Sequence, residues 1–221
     1  MSPEQLAERL DRAVAPRRLL DHPFYKAWAA GTLTREDLAF YAGQYWRQVE
    51  AFPGYLAELE KGFEGPTRSS LESNLADEVD GDHPGLWLRF AQALGASADT
   101  VTAGAPEPET TRCVEAFRAG VERSPMFGLG MLYGYESQTP DVARTKVAGL
   151  RDHYGIEGPA AGYFELHGEL DVEHASELAD AIARESETDA DLAEAEAGAR
   201  AGAEAIWTLL DGVARVRGIG D

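Results

Sequence analysis

The chain has 221 residues, 44% of them hydrophobic, which is enough to bury a sizeable core and unlike disordered or fibrous compositions. A formal charge of −19, from 39 acidic and 20 basic residues spread along the chain, describes solvated helix faces that repel nucleic acid and anionic membranes. The lone cysteine, Cys113, excludes an intramolecular disulfide and a multi-cysteine metal site. No apolar signal segment opens the chain and no apolar run reaches membrane-spanning length, so a soluble cytoplasmic protein is expected.

Helical signals run from end to end. After a first helix over 3–13, Thr34 caps a second, with Asp37 three residues on as in a capping box. Leu38, Tyr41, Tyr45, Gln48, Val49 and Phe52 then recur at helical spacing until Pro53 and Gly54, which should kink or break the segment. Further helices are predicted over 67–79, 84–95, 110–122, 126–137, 140–154, 160–184 and 188–216. Thr139 reads as a cap with Pro140 at the first helical position, and Gly155 and Gly158 close that helix. Residues 96–109 read as a surface loop, and no stretch alternates with period two. The expectation is a single all-α domain over 1–221.

Several residues have plain structural readings. Cys113 suits a small buried hydrophobe, and Trp28, Trp46, Trp87 and Trp207 suit the core. His22, before Pro23, caps or anchors a turn, and His153 suits a helix C-terminus. Only three lysines, Lys26, Lys61 and Lys146, stand against many carboxylates. Such a surface matches salt-adapted proteins or an acidic mesophilic one.

The stretch YFELHGELDVEH is the most informative. His167, Asp171 and His174 at i, i+4 and i+7 share one helical face within about 60° of arc. Two imidazoles and a carboxylate suit iron, manganese or zinc, although a solvated polar face has the same spacing, and Gly168 could distort the helix. Two other stretches favour the metal. Glu78 and His83 flank an acidic, glycine-containing break, and Glu136 ends an apolar helix where a carboxylate needs a positive partner. Three histidines and three carboxylates from separate helices can hold two metals, without the paired Glu-x-x-His of ferritin-like bundles.

The series HPFYKAW, FYAGQYWRQVEAFPGYL, NLADE…HPGLWLRF, YGYESQTP, TKVAGLRDHYGI and YFELHGELDVEH resembles the heme-oxygenase-like di-metal oxidases. It is most similar to the branch of the chlamydial protein associating with death domains, beside the pyrroloquinoline-quinone synthases and thiaminase-like proteins. The resemblance covers about residues 20–215. It implies a homodimeric bundle of seven to eight core helices, with Glu78, His83, Glu136, His167, Asp171 and His174 as ligands. The metals would be two irons or iron with manganese, with dioxygen and a reductant as co-substrates. The Glu78–His83 segment is shorter than the family's, so Asp77 or Asp80 could replace Glu78.

That branch is associated with making p-aminobenzoate, a folate precursor, by consuming its own side chains. By resemblance Tyr25 supplies the ring and Lys146 the nitrogen, and Tyr41 and Tyr163 match further site tyrosines. Retaining a lysine at 146 in an arginine-rich chain fits amine chemistry, as well as an ordinary solvated surface lysine. The competing expectations are a di-metal oxidase of an external amine, amino acid or fatty acid, a metal-free thiaminase-type hydrolase and an interaction protein. The hydrolase needs a cysteine nucleophile, and Cys113 lies outside the expected pocket segments.

Overall fold

A computed structural model describes residues 3–220, with side chains from Gln5 onward. The described residues form helices α1 (Pro3–Val14), α2 (Pro23–Ala29), α3 (Arg35–Leu59), α4 (Gly65–Asp80), α5 (His83–Ala93), α6 (Ala98–Ala103), α7 (Pro108–Arg123), α8 (Pro125–Glu136), α9 (Thr139–Gly149), α10 (Gly162–Glu185) and α11 (Asp189–Arg217), and no strand. The all-α expectation holds. None of these helices is long and apolar enough to cross a membrane.

The predicted Thr34 capping box forms, with Thr34 Oγ1 accepting from Asp37 N–H and the Asp37 carboxylate accepting from Thr34 N–H. Thr188 and Asp191 repeat it at the start of α11. Helices α8 and α11 run parallel to one another in close contact. A Cβ on Gly130 would strike the Ala195 carbonyl, and one on Gly198 the Phe127 carbonyl, so glycine sets the separation of the two backbones. Around them α3, α4, α5, α9 and α10 enclose an aromatic interior that includes Trp28, Trp87, Tyr41, Phe90 and Phe164.

Five local expectations are corrected. Helix α3 runs unbroken through Pro53, because the preceding turn absorbs one lost hydrogen bond and both sides stay anchored by buried Val49, Phe52, Tyr55 and Leu56. The 96–109 loop contains α6, which Ser97 caps by accepting from Thr100 N–H. Thr139 is already helical and its hydroxyl donates to the Tyr135 carbonyl, so it does not cap α9. Helix α10 passes through Gly168 without interruption. Trp207 is only half-buried, edge-on to His22 and beneath Arg17.

His22 caps α2 as expected: its Nδ1 accepts from Phe24 N–H, and its Nε2–H donates to Asp211. His153 lies in a π-helical turn, Leu150–Tyr154, and its Nε2–H donates to the Ala29 carbonyl at the end of α2.

Candidate metal centre

Four helices bring the six candidate ligands together, and all six are buried. The α4–α5 turn is what lets Glu78 and His83 meet despite their short spacing. Asp82 takes a left-handed conformation (φ 50°), its carboxylate accepts from Gly85 N–H, and the chain reverses. Gly81 is required there, since a Cβ would strike the Asp77 carbonyl and the His83 ring. His83 Nδ1 then lies 2.6 Å from Glu78 Oε2.

His167 comes from α10 with its Nδ1–H donating to the Tyr163 carbonyl at 2.7 Å, and its Nε2 is 3.8 Å from Glu78 Oε1. One ligand atom each from Glu78, His83 and His167 lies within 4.8 Å of the others. Glu78, not Asp80, fills this place, because Asp80 is exposed. Asp77 is half-exposed and turned to His174.

The second group is Glu136, Asp171 and His174. Asp171 and His174 stay on one face of α10, with His174 Nδ1 3.5 Å from Asp171 Oδ1. Glu136, at the end of α8, accepts from Asn74 Nδ2 through both oxygens, at 3.1 and 3.3 Å. Asn74 stands one turn before Glu78 on α4.

The electrostatics are those of a cation site. Burial raises the Glu78 carboxyl, but His167 and His83 outweigh burial and pull it down to about 2. Burial and the charge of Asp171 push Glu136 up to about 8. Burial opposes the His174 charge, yet Asp171, Glu136 and Asp77 raise its pKa to about 9. Glu136 and His174 therefore both hold protons at neutral pH. Two buried ring nitrogens, His83 Nε2 and His174 Nδ1, have no hydrogen-bond partner among the described residues. A buried set of imidazole nitrogens and carboxylate oxygens with orphaned nitrogens fits iron or manganese.

Tyr163 stacks on His167 with ring centres 4.0 Å apart, and the nearby Tyr135 hydroxyl accepts from Tyr45 at 2.9 Å. Beside this lies Lys146. Its Nζ donates to the Tyr41 hydroxyl at 2.7 Å and lies 5.3 Å from the centre of the Tyr25 ring. Burial drives the Lys146 pKa far down and those of Tyr25 and Tyr41 up, so amine and phenols are neutral. The space between Tyr25, Lys146, Tyr163 and His167 is a cavity of about 10 Å³, room for about one water molecule.

The sequence reading missed Asn74, Tyr45, Tyr135 and Trp87 as part of this assembly. Helical spacing offered a signal for two of them: Asn74 precedes Glu78 by four residues and Tyr45 follows Tyr41 by four.

Fold and site together define a redox enzyme of the oxidase or oxygenase type. The chain belongs to the iron-containing redox enzymes, whose sequence profile matches residues 39–207. It is 36% identical to the 4-aminobenzoate synthase of Nitrosomonas europaea over 96% of this chain and 92% of that one. It is 37% identical to the Chlamydia muridarum 4-aminobenzoate synthase over 83% and 80% of the respective chains. Among solved structures it is similar to a heme-oxygenase-like domain from Shewanella denitrificans, with a TM-score of 0.84, 16% identity and coverage of 98% and 93%.

Proposed function

We propose that this chain makes 4-aminobenzoate from its own side chains, with Tyr25 as ring source and Lys146 as nitrogen source. Glu78, His83, Glu136, His167, Asp171 and His174 would hold two irons, or iron and manganese. Such ions, with dioxygen and a reductant, would supply the oxidising power.

The observation that carries this reading is the placement of Lys146. It is buried, has no ion pair among the described residues, donates to Tyr41 and lies 5.3 Å from the centre of the Tyr25 ring. The product has nitrogen para to its carboxylate, and a tyrosine ring has its hydroxyl para to Cβ. Nitrogen must therefore arrive at the hydroxyl end of the ring. The Tyr41 hydroxyl, which accepts from Lys146 Nζ, would hold the amine beside the Tyr25 ring and direct it there. A neutral amine keeps its lone pair for bonding to carbon, which a guanidinium cannot do. The identity to 4-aminobenzoate synthases, which spans residue 25, supports the same product.

The small cavity argues against an external amine or fatty acid beside Lys146. A cleft of about 510 Å³ does open on the far side of Asp171, between α1 and α10, and favours the second reading, oxidation of an external substrate. The hydrolase reading is disfavoured, since Cys113 is fully buried and burial raises its thiol pKa. Tyr25→Phe and Lys146→Arg, loaded with iron and manganese and given reductant and dioxygen, test the proposal. Both should keep metal and form no 4-aminobenzoate. Full activity of either variant would contradict it.

A further inference from the structure

The centre holds its α10 histidines in two different ways. His167 is oriented within its own helix, by the Tyr163 carbonyl one turn back. His174 has no such bond. Its outer nitrogen Nε2 lies instead 3.1 Å from Asp77 Oδ2 on α4. The other nitrogen, Nδ1, is buried without a hydrogen-bond partner among the described residues, 3.5 Å from Asp171 Oδ1.

We propose that Asp77 is a positioning residue of the metal centre, fixing His174 so that Nδ1, beside Asp171, is the nitrogen offered to a metal ion. The inference rests on the metal-binding part of the proposed function and is independent of the substrate. An ionised carboxylate only accepts hydrogen bonds, so the nitrogen facing Asp77 must carry the hydrogen. In a neutral imidazole the lone pair is then on Nδ1. Nδ1 and the Asp171 oxygen at that distance attract one another through a shared cation, either a proton or a metal ion that displaces it. Histidine ligands are commonly held this way, by a carboxylate on the ring nitrogen away from the metal.

The carboxylate of Asp77 is free for the task. Its side chain is 45% exposed, and its only ion pair among the described residues is with His174. It also stands opposite the orphaned nitrogen, which separates its role from that of a ligand. Adjacent residues of α4 thus serve different halves of the centre, with Glu78 meeting His83 and His167, and Asp77 meeting His174.

Cobalt(II) titration of the metal-depleted full chain tests this, with proton NMR of the loaded form. Wild type should take up two ions and show a shifted, exchangeable ring N–H that vanishes in His174→Ala. Asp77→Ala should weaken the second ion by about 10–100-fold and lose that N–H signal to solvent exchange. Asp77→Asn, whose amide oxygen can accept the same hydrogen, should keep both the signal and wild-type affinity. Unchanged binding and an unchanged N–H signal in Asp77→Ala would overturn the inference. So would an Asp77→Asn variant as damaged as Asp77→Ala, because charge rather than the accepted hydrogen bond would then matter. Failure of wild type to bind cobalt would overturn the metal centre itself, and this role with it.

Discussion

Lys146 Nζ donates to the Tyr41 hydroxyl at 2.7 Å and faces six aromatic rings at 4.7–5.9 Å, including Tyr25 and Phe164. Ring faces attract an ammonium by about 2 kcal/mol at best, whereas stripping its water costs several kcal/mol. Desolvation wins, and the amine is neutral in the folded protein. In the unfolded chain it is protonated up to about 10.4. The unfolded state therefore binds more protons below that pH, and this group's contribution to stability rises with pH. Lys146→Met keeps the length and apolar fit, so it should be more stable than wild type at neutral pH. The advantage should shrink as pH approaches the ordinary lysine value, as followed by urea denaturation across the pH range.

Glu136 and His174 have the opposite sign. Their folded pKa values of about 8 and about 9 lie above the ordinary 4.5 and 6.5. The metal-free native state therefore holds extra protons, and stability falls as pH rises through these windows. Chelated protein should lose on the order of 5 °C of thermal midpoint between about pH 6 and 9. Bound metal replaces those protons, so the loaded protein should show a flatter profile, and loading should release protons. Glu136→Gln should flatten the chelated profile too. Differential scanning fluorimetry with and without chelator measures both effects.

Much of this was legible in the sequence, because helix caps, helical spacing and the i, i+4, i+7 ligand face are local. Thr34 with Asp37 and His167 with Asp171 and His174 needed no tertiary information. The failures were also physical. Pro53 reads as a break, but packing on both sides of it outweighs one missing hydrogen bond. Short α6 hid in a polar stretch whose only signal was Ser97. Asp77 and His174, 97 residues apart, meet only through helix packing, and so do Lys146 and Tyr41. Lys146 could be read equally as a surface lysine, since sequence alone does not say which face of α9 turns inward.

His22 anchors the helix that carries Tyr25. Its Nδ1 accepts from Phe24 N–H while Nε2–H pairs with Asp211, so both nitrogens are satisfied in the neutral ring. His22→Ala should cost about 1 kcal/mol through loss of the cap. It should also speed amide exchange across residues 24–29. His22→Asn, a good capping residue, should recover most of both.

The surface charge makes its own prediction. Of three lysines one is buried at Lys146, and the formal charge is −19. Screening should relieve carboxylate repulsion, raising the thermal midpoint by about 5 °C between dilute and molar potassium chloride. A flat or falling midpoint would remove the salt-adapted reading and leave an acidic protein without that specialisation.

If the chain consumes itself, the ring of the product is the ring of Tyr25. The direct measurement is to produce the chain with ring-labelled heavy tyrosine, load it with iron and manganese, and add reductant and dioxygen without any aromatic substrate. Mass spectrometry of the released small molecules and of the peptide containing Tyr25 then decides. Labelled 4-aminobenzoate should appear, no more of it than there are chains, with matching loss of the side chain at Tyr25. Unlabelled product, or product with Tyr25 intact, would contradict that origin of the ring.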